Sequence, residues 1–173
     1  YAGQFIWTGV DYIGEPTPWH NQNDTPVKGS YFGIVDTAGI PKNDYYLYQS
    51  QWLDGNQHPM VHILPHWNWE IHKSYQQVVD KYGDIPVRVY SNAGSVELFL
   101  NGKSQGRKTF QEKWTSDGRK YQEGEGSDQL YLEWRLAYQP GELYAVAYDR
   151  QGQIVAEDRV VTAGKPAKIG LHA

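Results

Sequence analysis

No cysteine occurs in the 173 residues, which excludes disulfides and thiolate metal sites without fixing the compartment. Methionine occurs once, at Met60, and the chain opens on Tyr1, so no targeting segment is legible and an internal piece of a longer protein is expected. Positive charge is outweighed: 16 Lys and Arg against 20 Asp and Glu give a formal net charge of -4, and the pI is near 5.8. Such a chain offers no basic field, which makes nucleic acid and anionic membrane poor partners. No apolar run approaches the roughly 20 residues of a spanning helix, so no membrane insertion is expected. Phosphate-cradling glycine motifs and a nucleophile elbow are also missing, and no cofactor is implied. What is abundant is aromatic, with seven Trp and fourteen Tyr. Flat rings pack on the apolar faces of pyranoses and also favour strands, so this composition suits a sugar-handling surface and aromatic-rich β structure alike.

The chain is organised around residues 3–16, GQFIWTGVDYIGEP. Gly3 to Trp7 is short and almost wholly apolar, the pattern of a strand buried on both faces. Thr8, Gly9, Gly14 and Pro16 then break it, which puts Trp7 where a strand stops and a loop begins. Parallel barrels place substrate contacts at that position. Residues 17–28 are polar, with Trp19 and His20 among them, and longer than an ordinary connection, which suits a loop over a substrate site or a surface excursion. Ser30 to Val35 reads as a short extended piece. Pro41 suits a first helical turn, and Tyr45, Tyr48 and Trp52 at i, i+3 and i+7 make one apolar face, predicting a helix over Pro41 to Trp52.

Beyond Asp54-Gly55-Asn56 the period changes to alternation. Candidate strands are Met60 to Leu64, Pro86 to Ser91, Val96 to Leu100, Ser104 to Phe110, Leu130 to Leu136, Leu143 to Tyr148 and Ile154 to Val161. Asn101-Gly102 is the strongest two-residue hairpin signal, and Gln151-Gly152 marks a second tight turn. Short strands at this spacing predict an immunoglobulin-like sandwich, with Trp134 and the Leu and Val ladder filling the core in place of a disulfide. Trp69 to Gly83 reads as a helical turn or two, Gln111 to Asp128 as a mobile hairpin, and Thr162 to Ala173 as a linker.

The opening stretch resembles the eighth barrel strand of the glycoside hydrolase family 2 β-galactosidases. The resemblance continues through KGSYFGIVDTAGIPK (28–42), DYYLYQSQW (44–52), MVHILPHWNW (60–69) and VELFLNGKSQG (96–106), and order and spacing make it specific. It implies residues 1–54 as the C-terminal portion of a (β/α)8 barrel (strand, loop and helix), residues 55–163 as an all-β immunoglobulin-like sandwich, and residues 164–173 as a linker to a further domain. A whole barrel needs roughly 250 residues, so the upstream part of a parent enzyme is the implied partner. That parent would be a retaining exo-β-glycosidase acting on β-galactosides or oligosaccharides, in a bacterium and outside the cytoplasm.

Asp11 and Glu15 are the carboxylates nearest the key stretch, and glycoside hydrolysis uses two carboxylates. They also suit a plainer role, Asp11 binding loop amides and Glu15 forming a turn before Pro16. The resemblance agrees with the plainer role, because it places both catalytic glutamates on earlier strands, upstream of Tyr1; no catalytic residue is expected in this chain. By the same resemblance Trp7 is a wall of the galactose subsite, where an indole supplies an apolar platform and excludes water; the alternative is a core Trp capping the barrel. Asp11, Glu15, Trp19 and His20 are further candidates for sugar contacts. The β-glucuronidase branch carries an Asn-x-Lys whose Lys meets the substrate carboxylate. Here Ser30, Tyr31 and Phe32 stand ahead of Gly33-Ile34, so a neutral hexoside is preferred, with Lys28 the nearest cation in sequence.

His58, His62, His66 and His72 cluster loosely. On a strand, His62 and His66 share a face but stand about 13 Å apart by strand rise, too far to bite one ion, so no metal is expected. Trp67 and Trp69 are expected to anchor the sandwich to the barrel rather than bind sugar. Two other classes fit the same residues: a non-catalytic carbohydrate-binding module presenting Trp114 and Tyr121, and a purely structural spacer.

Overall fold

The computed structural model describes residue 3 and residues 5–14, 28–71 and 75–165, excluding the side chains of Ile71 and Tyr82. The chain divides into two compact units, residues 1–49 and residues 50–173.

In the first unit, chain segments far apart in sequence share backbone hydrogen bonds. Val10 bridges Val35 in parallel, and Val35 bridges Pro41 in the antiparallel sense. Ile34 N–H donates to Thr8 O at 3.2 Å, Val35 N–H to Gly9 O at 3.1 Å and Asp11 N–H to Val35 O at 2.9 Å. Next to this bridge, β1 (Tyr12–Ile13) pairs antiparallel with β2 (Gly29–Ser30). The strand expected over Gly3 to Trp7 does not form at its described residues: Phe5 is fully exposed and Trp7 is 74% exposed. A parallel strand takes its hydrogen bonds from neighbours on both sides, and no described residue offers them there, so pairing starts one residue later at Thr8. The helix α1 spans Asn43–Trp52 rather than Pro41 to Trp52. Pro41 is drawn into the bridge with Val35, and Lys42 N–H donates to Ile34 O at 2.9 Å, so both residues close the loop before the helix begins.

The second unit is built from two antiparallel sheets. One has the order β3-β4-β8, with β3 at Val61–Leu64, β4 at Ile85–Ser91 and β8 at Leu132–Leu136. The other has the order β10-β9-β5-β6-β7, with β5 at Ser95–Leu100, β6 at Lys103–Trp114, β7 at Lys120–Gly124, β9 at Glu142–Tyr148 and β10 at Ile154–Val161. Alternation turns Ile85, Val87 and Val89 of one sheet and Val96, Leu98 and Leu100 of the other into a shared core. Between β5 and β6 the turn residues Asn101 and Gly102 have φ of 51° and 76°, the pair of positive values that a two-residue primed turn demands and that this dipeptide adopts most easily. The excursion after Phe110 is ordered as a ladder: β6 runs on to Trp114 and pairs with β7 from Phe110↔Gly124 to Trp114↔Lys120. Trp69–Ile71 forms a 3-10 turn and Tyr75–Tyr82 the helix α2.

Trp67 and Trp69 are not anchors to another domain. Both are buried in the core of the second unit itself, together with Trp134. The connection after β3 is tied to the segment after β10 by two side chain–backbone bonds: Thr162 Oγ1 donates to Trp67 O at 2.5 Å and Ala163 N–H to Asn68 Oδ1 at 2.6 Å.

Candidate functional site

The loop that follows Trp7 is fixed at Asp11. Only 7% of Asp11 is exposed, and its Oδ1 accepts from Gly33 N–H at 2.7 Å and from Lys42 Nζ at 2.7 Å. Lys42 Nζ also donates to Tyr31 O at 3.1 Å. The Lys42 hydrogen bond holds the Asp11 carboxyl below its ordinary value; burial opposes this, and the Gly33 amide and the Lys42 charge add to it. Because the folded value is depressed, the stability this clasp contributes is present above the usual carboxylate range and is lost as pH falls through the folded value.

Gly33 is where the two segments touch. A Cβ there would stand 2.2 Å from Asp11 N, 2.5 Å from Val10 C and 2.6 Å from Val35 O, all backbone atoms that cannot swing aside. Gly33→Ala should therefore part Val10-Asp11 from Val35 at a cost of about 1–3 kcal/mol, the range for overpacking. Hydrogen exchange at the Asp11 and Val35 amides checks this: faster exchange at both is expected, and unchanged protection would contradict it.

Trp7 carries the exposed face of this loop. Its ring meets Tyr12 edge-on, with centroids 6.2 Å apart and planes at 85°, and Tyr12 is paired with Ser30 through β1 and β2. Of the residues singled out from sequence, Trp7 and Asp11 are thus in one short loop, Trp7 open and Asp11 engaged. Glu15, Trp19 and His20 lie outside the described residues. The cation that meets a carboxylate here is Lys42, a residue that sequence reasoning passed over. Nothing local marks it, since its partner lies 31 residues earlier.

Described residues of the second unit border clefts. One of about 640 Å³ is bordered by Arg88, Lys108, Glu125, Tyr131, Glu133 and Arg135. Another, about 360 Å³, is bordered by Asn92, Glu112, Lys120, Tyr121 and Arg150. Trp114 is 60% exposed. Among the described residues no group of three His, Asp or Glu side chains is placed to hold a metal ion, and no helix is long and apolar enough to cross a membrane. His62 lies 3.7 Å from Asp158, whose Oδ2 accepts Ile63 N–H at 2.8 Å; burial pushes the imidazole pKa down against the pull of that carboxylate.

Comparison with known proteins adds the family. A family model described as a domain of unknown function, DUF4982, matches residues 83–156. The chain is 43% identical over 170 residues to the β-galactosidase BoGH2A of Bacteroides ovatus, an alignment covering 98% of this chain and 16% of that protein. It is 37% identical over 169 residues to a putative β-glucuronidase of Formosa agariphila, covering 98% of this chain and 14% of that one. A crystal structure of a glycosyl hydrolase family 2 member from Bacteroides cellulosilyticus matches with a TM-score of 0.65 at 27% identity, over 94% of this chain and 22% of the other. The homologues are family 2 glycoside hydrolases. The chain corresponds to a segment of such an enzyme and spans 14–16% of the length of these two relatives. Since one is named for galactosides and the other for glucuronides, the names alone do not choose the sugar.

Proposed function

We propose that this chain belongs to a retaining exo-β-glycosidase that releases terminal β-galactosides, and that it supplies a wall of the sugar subsite and a scaffold while the catalytic glutamates come from the upstream part of the parent. In this reading residues 1–54 complete the C-terminal edge of a (β/α)8 barrel, residues 55–163 form an immunoglobulin-like domain, and residues 164–173 lead onward. The observation that carries it is the Trp7 indole, 74% exposed on a loop whose next turn is clamped at Asp11. An open indole is what an apolar sugar face packs on, and it excludes water from the bond being cleaved.

The same reading explains the apolar surface of the first unit. Phe5, Val10 and Ile13 are 100%, 53% and 81% exposed, and the preceding barrel strands would cover them. Glu15, Trp19 and His20 stay candidates for sugar contacts by their place in the sequence, whereas Asp11, with Oδ1 engaged by Gly33 and Lys42, holds the loop. A neutral hexoside is favoured over a uronide because Ser30, Tyr31 and Phe32 offer no cation and Lys42 is paired with Asp11. In the same reading the parent acts outside the cytoplasm of a bacterium.

Hydrolysis of a chromogenic β-galactoside tests the reading. Activity is expected only when this chain is mixed with the upstream part of its parent, and neither piece should turn over alone. Hydrolysis by this chain by itself, abolished at Asp11 or Glu15, would refute the assignment. A second reading, a non-catalytic sugar-binding sandwich, is favoured by the 60% exposure of Trp114. Sugar binding lost in Trp114→Ala, with no activity in the mixture, would decide for it.

A further inference from the structure

We propose that Lys42 and Asp11 form a positioning pair that fixes the orientation of the Trp7 indole, so that Lys42, without touching the sugar, sets the affinity of the subsite. This rests on the reading of Trp7 as a subsite wall.

Lys42 is held at both ends. Its N–H donates to Ile34 O at 2.9 Å, while its Nζ reaches Asp11 Oδ1 at 2.7 Å and Tyr31 O at 3.1 Å. Asp11 is likewise pinned twice, by its own N–H on Val35 O at 2.9 Å and by its carboxylate on Gly33 N–H at 2.7 Å. The pair therefore ties three separate stretches together: the Trp7 loop, the Tyr31-Gly33 segment and the lead into α1.

From Asp11 the constraint passes to Trp7 in two steps. Tyr12 is the next residue, and its backbone is fixed by pairing with Ser30. Its ring then sets the edge against which Trp7 stands, 6.2 Å between centroids. An indole that is 74% exposed has little packing of its own, so its orientation is inherited from Tyr12. A charge-assisted hydrogen bond inside a nearly buried site has the strength and direction to hold such a turn. A platform that contacts ground state and transition state alike contributes uniform binding. Loosening it raises KM and leaves kcat.

The test uses the parent enzyme carrying Lys42→Met, Lys42→Arg, Asp11→Asn and the Lys42→Met/Asp11→Asn double variant, assayed on a nitrophenyl β-galactoside. We expect Lys42→Met to raise KM about tenfold with kcat within about twofold, and Lys42→Arg to recover most of that loss. The double variant should be no worse than Lys42→Met alone, since members of one unit are not additive. A fall in kcat at unchanged KM, or additive effects, would overturn the proposal. A second readout does not depend on catalysis. In the full chain labelled with 5-fluorotryptophan, the Trp7 fluorine signal, identified by its loss in Trp7→Phe, should move in Lys42→Met and again on acid titration, as Asp11 protonates. A signal indifferent to both would overturn the positioning role. Should Trp7→Phe leave KM unchanged, the subsite reading and the affinity role would fall, and the fluorine signal would still decide whether the pair holds the indole.

Discussion

Trp67→Ala should cost the second unit about 3–5 kcal/mol, the range for removing a fully buried aromatic. Trp67 has no exposed surface, and it belongs to the core shared by both sheets. Its Nε1 donates to Gln139 O at 2.8 Å, and its ring packs against Tyr138 at 5.3 Å between centroids. Alanine would open a cavity and leave a carbonyl without its donor, and both effects add. The loss is a large share of the 5–15 kcal/mol that holds an ordinary domain together. Denaturant unfolding of the full chain measures it, with Trp114→Ala as the control. That indole is 60% exposed at the end of β6, and its removal should stay within about 0.5 kcal/mol. Equal midpoints for the two variants would show that the connection after β3 is not part of the core.

The contrast between these two tryptophans also marks how far the sequence could be read. Strands are legible where one face is buried and the other wet, because alternation then records the fold locally. Leu132-Glu133-Trp134-Arg135-Leu136 alternates buried and more open residues as its pattern predicts, and the turn dipeptides fix both hairpins. Trp67 and Trp69 lie two residues apart with the more open Asn68 between them, but in no strand, so the spacing does not say what they pack on. Thr162 and Ala163, 95 residues away, bond Trp67 O and Asn68 Oδ1 and so hold the connection, and no local pattern carries that information. The ladder beyond Phe110 is hard to read for another reason: Gln111, Lys113 and Trp114 are exposed, and the partner strand Lys120–Gly124 is half-buried through Tyr121, Gln122 and Glu123 rather than through aliphatic residues.

The loop around Trp7 shows the same division. Its punctuation by Thr8, Gly9 and Gly14 locates the end of an extended run, whereas the run itself takes its partner from Ile34 and Val35 rather than forming over Gly3 to Trp7. That Asp11 would accept loop amides is legible from its place among turn formers; that Lys42 would join it is not, since an ion pair closes on distance in space and leaves no mark in sequence. Gly33 is the readable trace of this contact, because only glycine lets the two backbones approach as they do.

Trp7→Ala in the parent enzyme should lower kcat/KM for a β-galactoside about 30-fold, while the same change in this chain by itself leaves stability almost untouched. One face of an indole covers on the order of 80 Å² of sugar surface, and at about 25 cal/mol per Å² its loss removes about 2 kcal/mol of binding. The loss should fall mainly on KM, with a smaller part on kcat from water admitted beside the reacting bond. Trp7→Tyr should restore part of it, since a smaller ring still offers a face. In this chain by itself, where 74% of its surface is open, Trp7 does little for folding, so the unfolding free energy of the chain should change by no more than about 0.5 kcal/mol in Trp7→Ala. That separation of affinity from stability decides the role of the residue. A subsite wall lowers kcat/KM at constant stability, whereas a tryptophan capping a barrel core would do the reverse, and kcat/KM unchanged in Trp7→Ala would remove Trp7 from the sugar site.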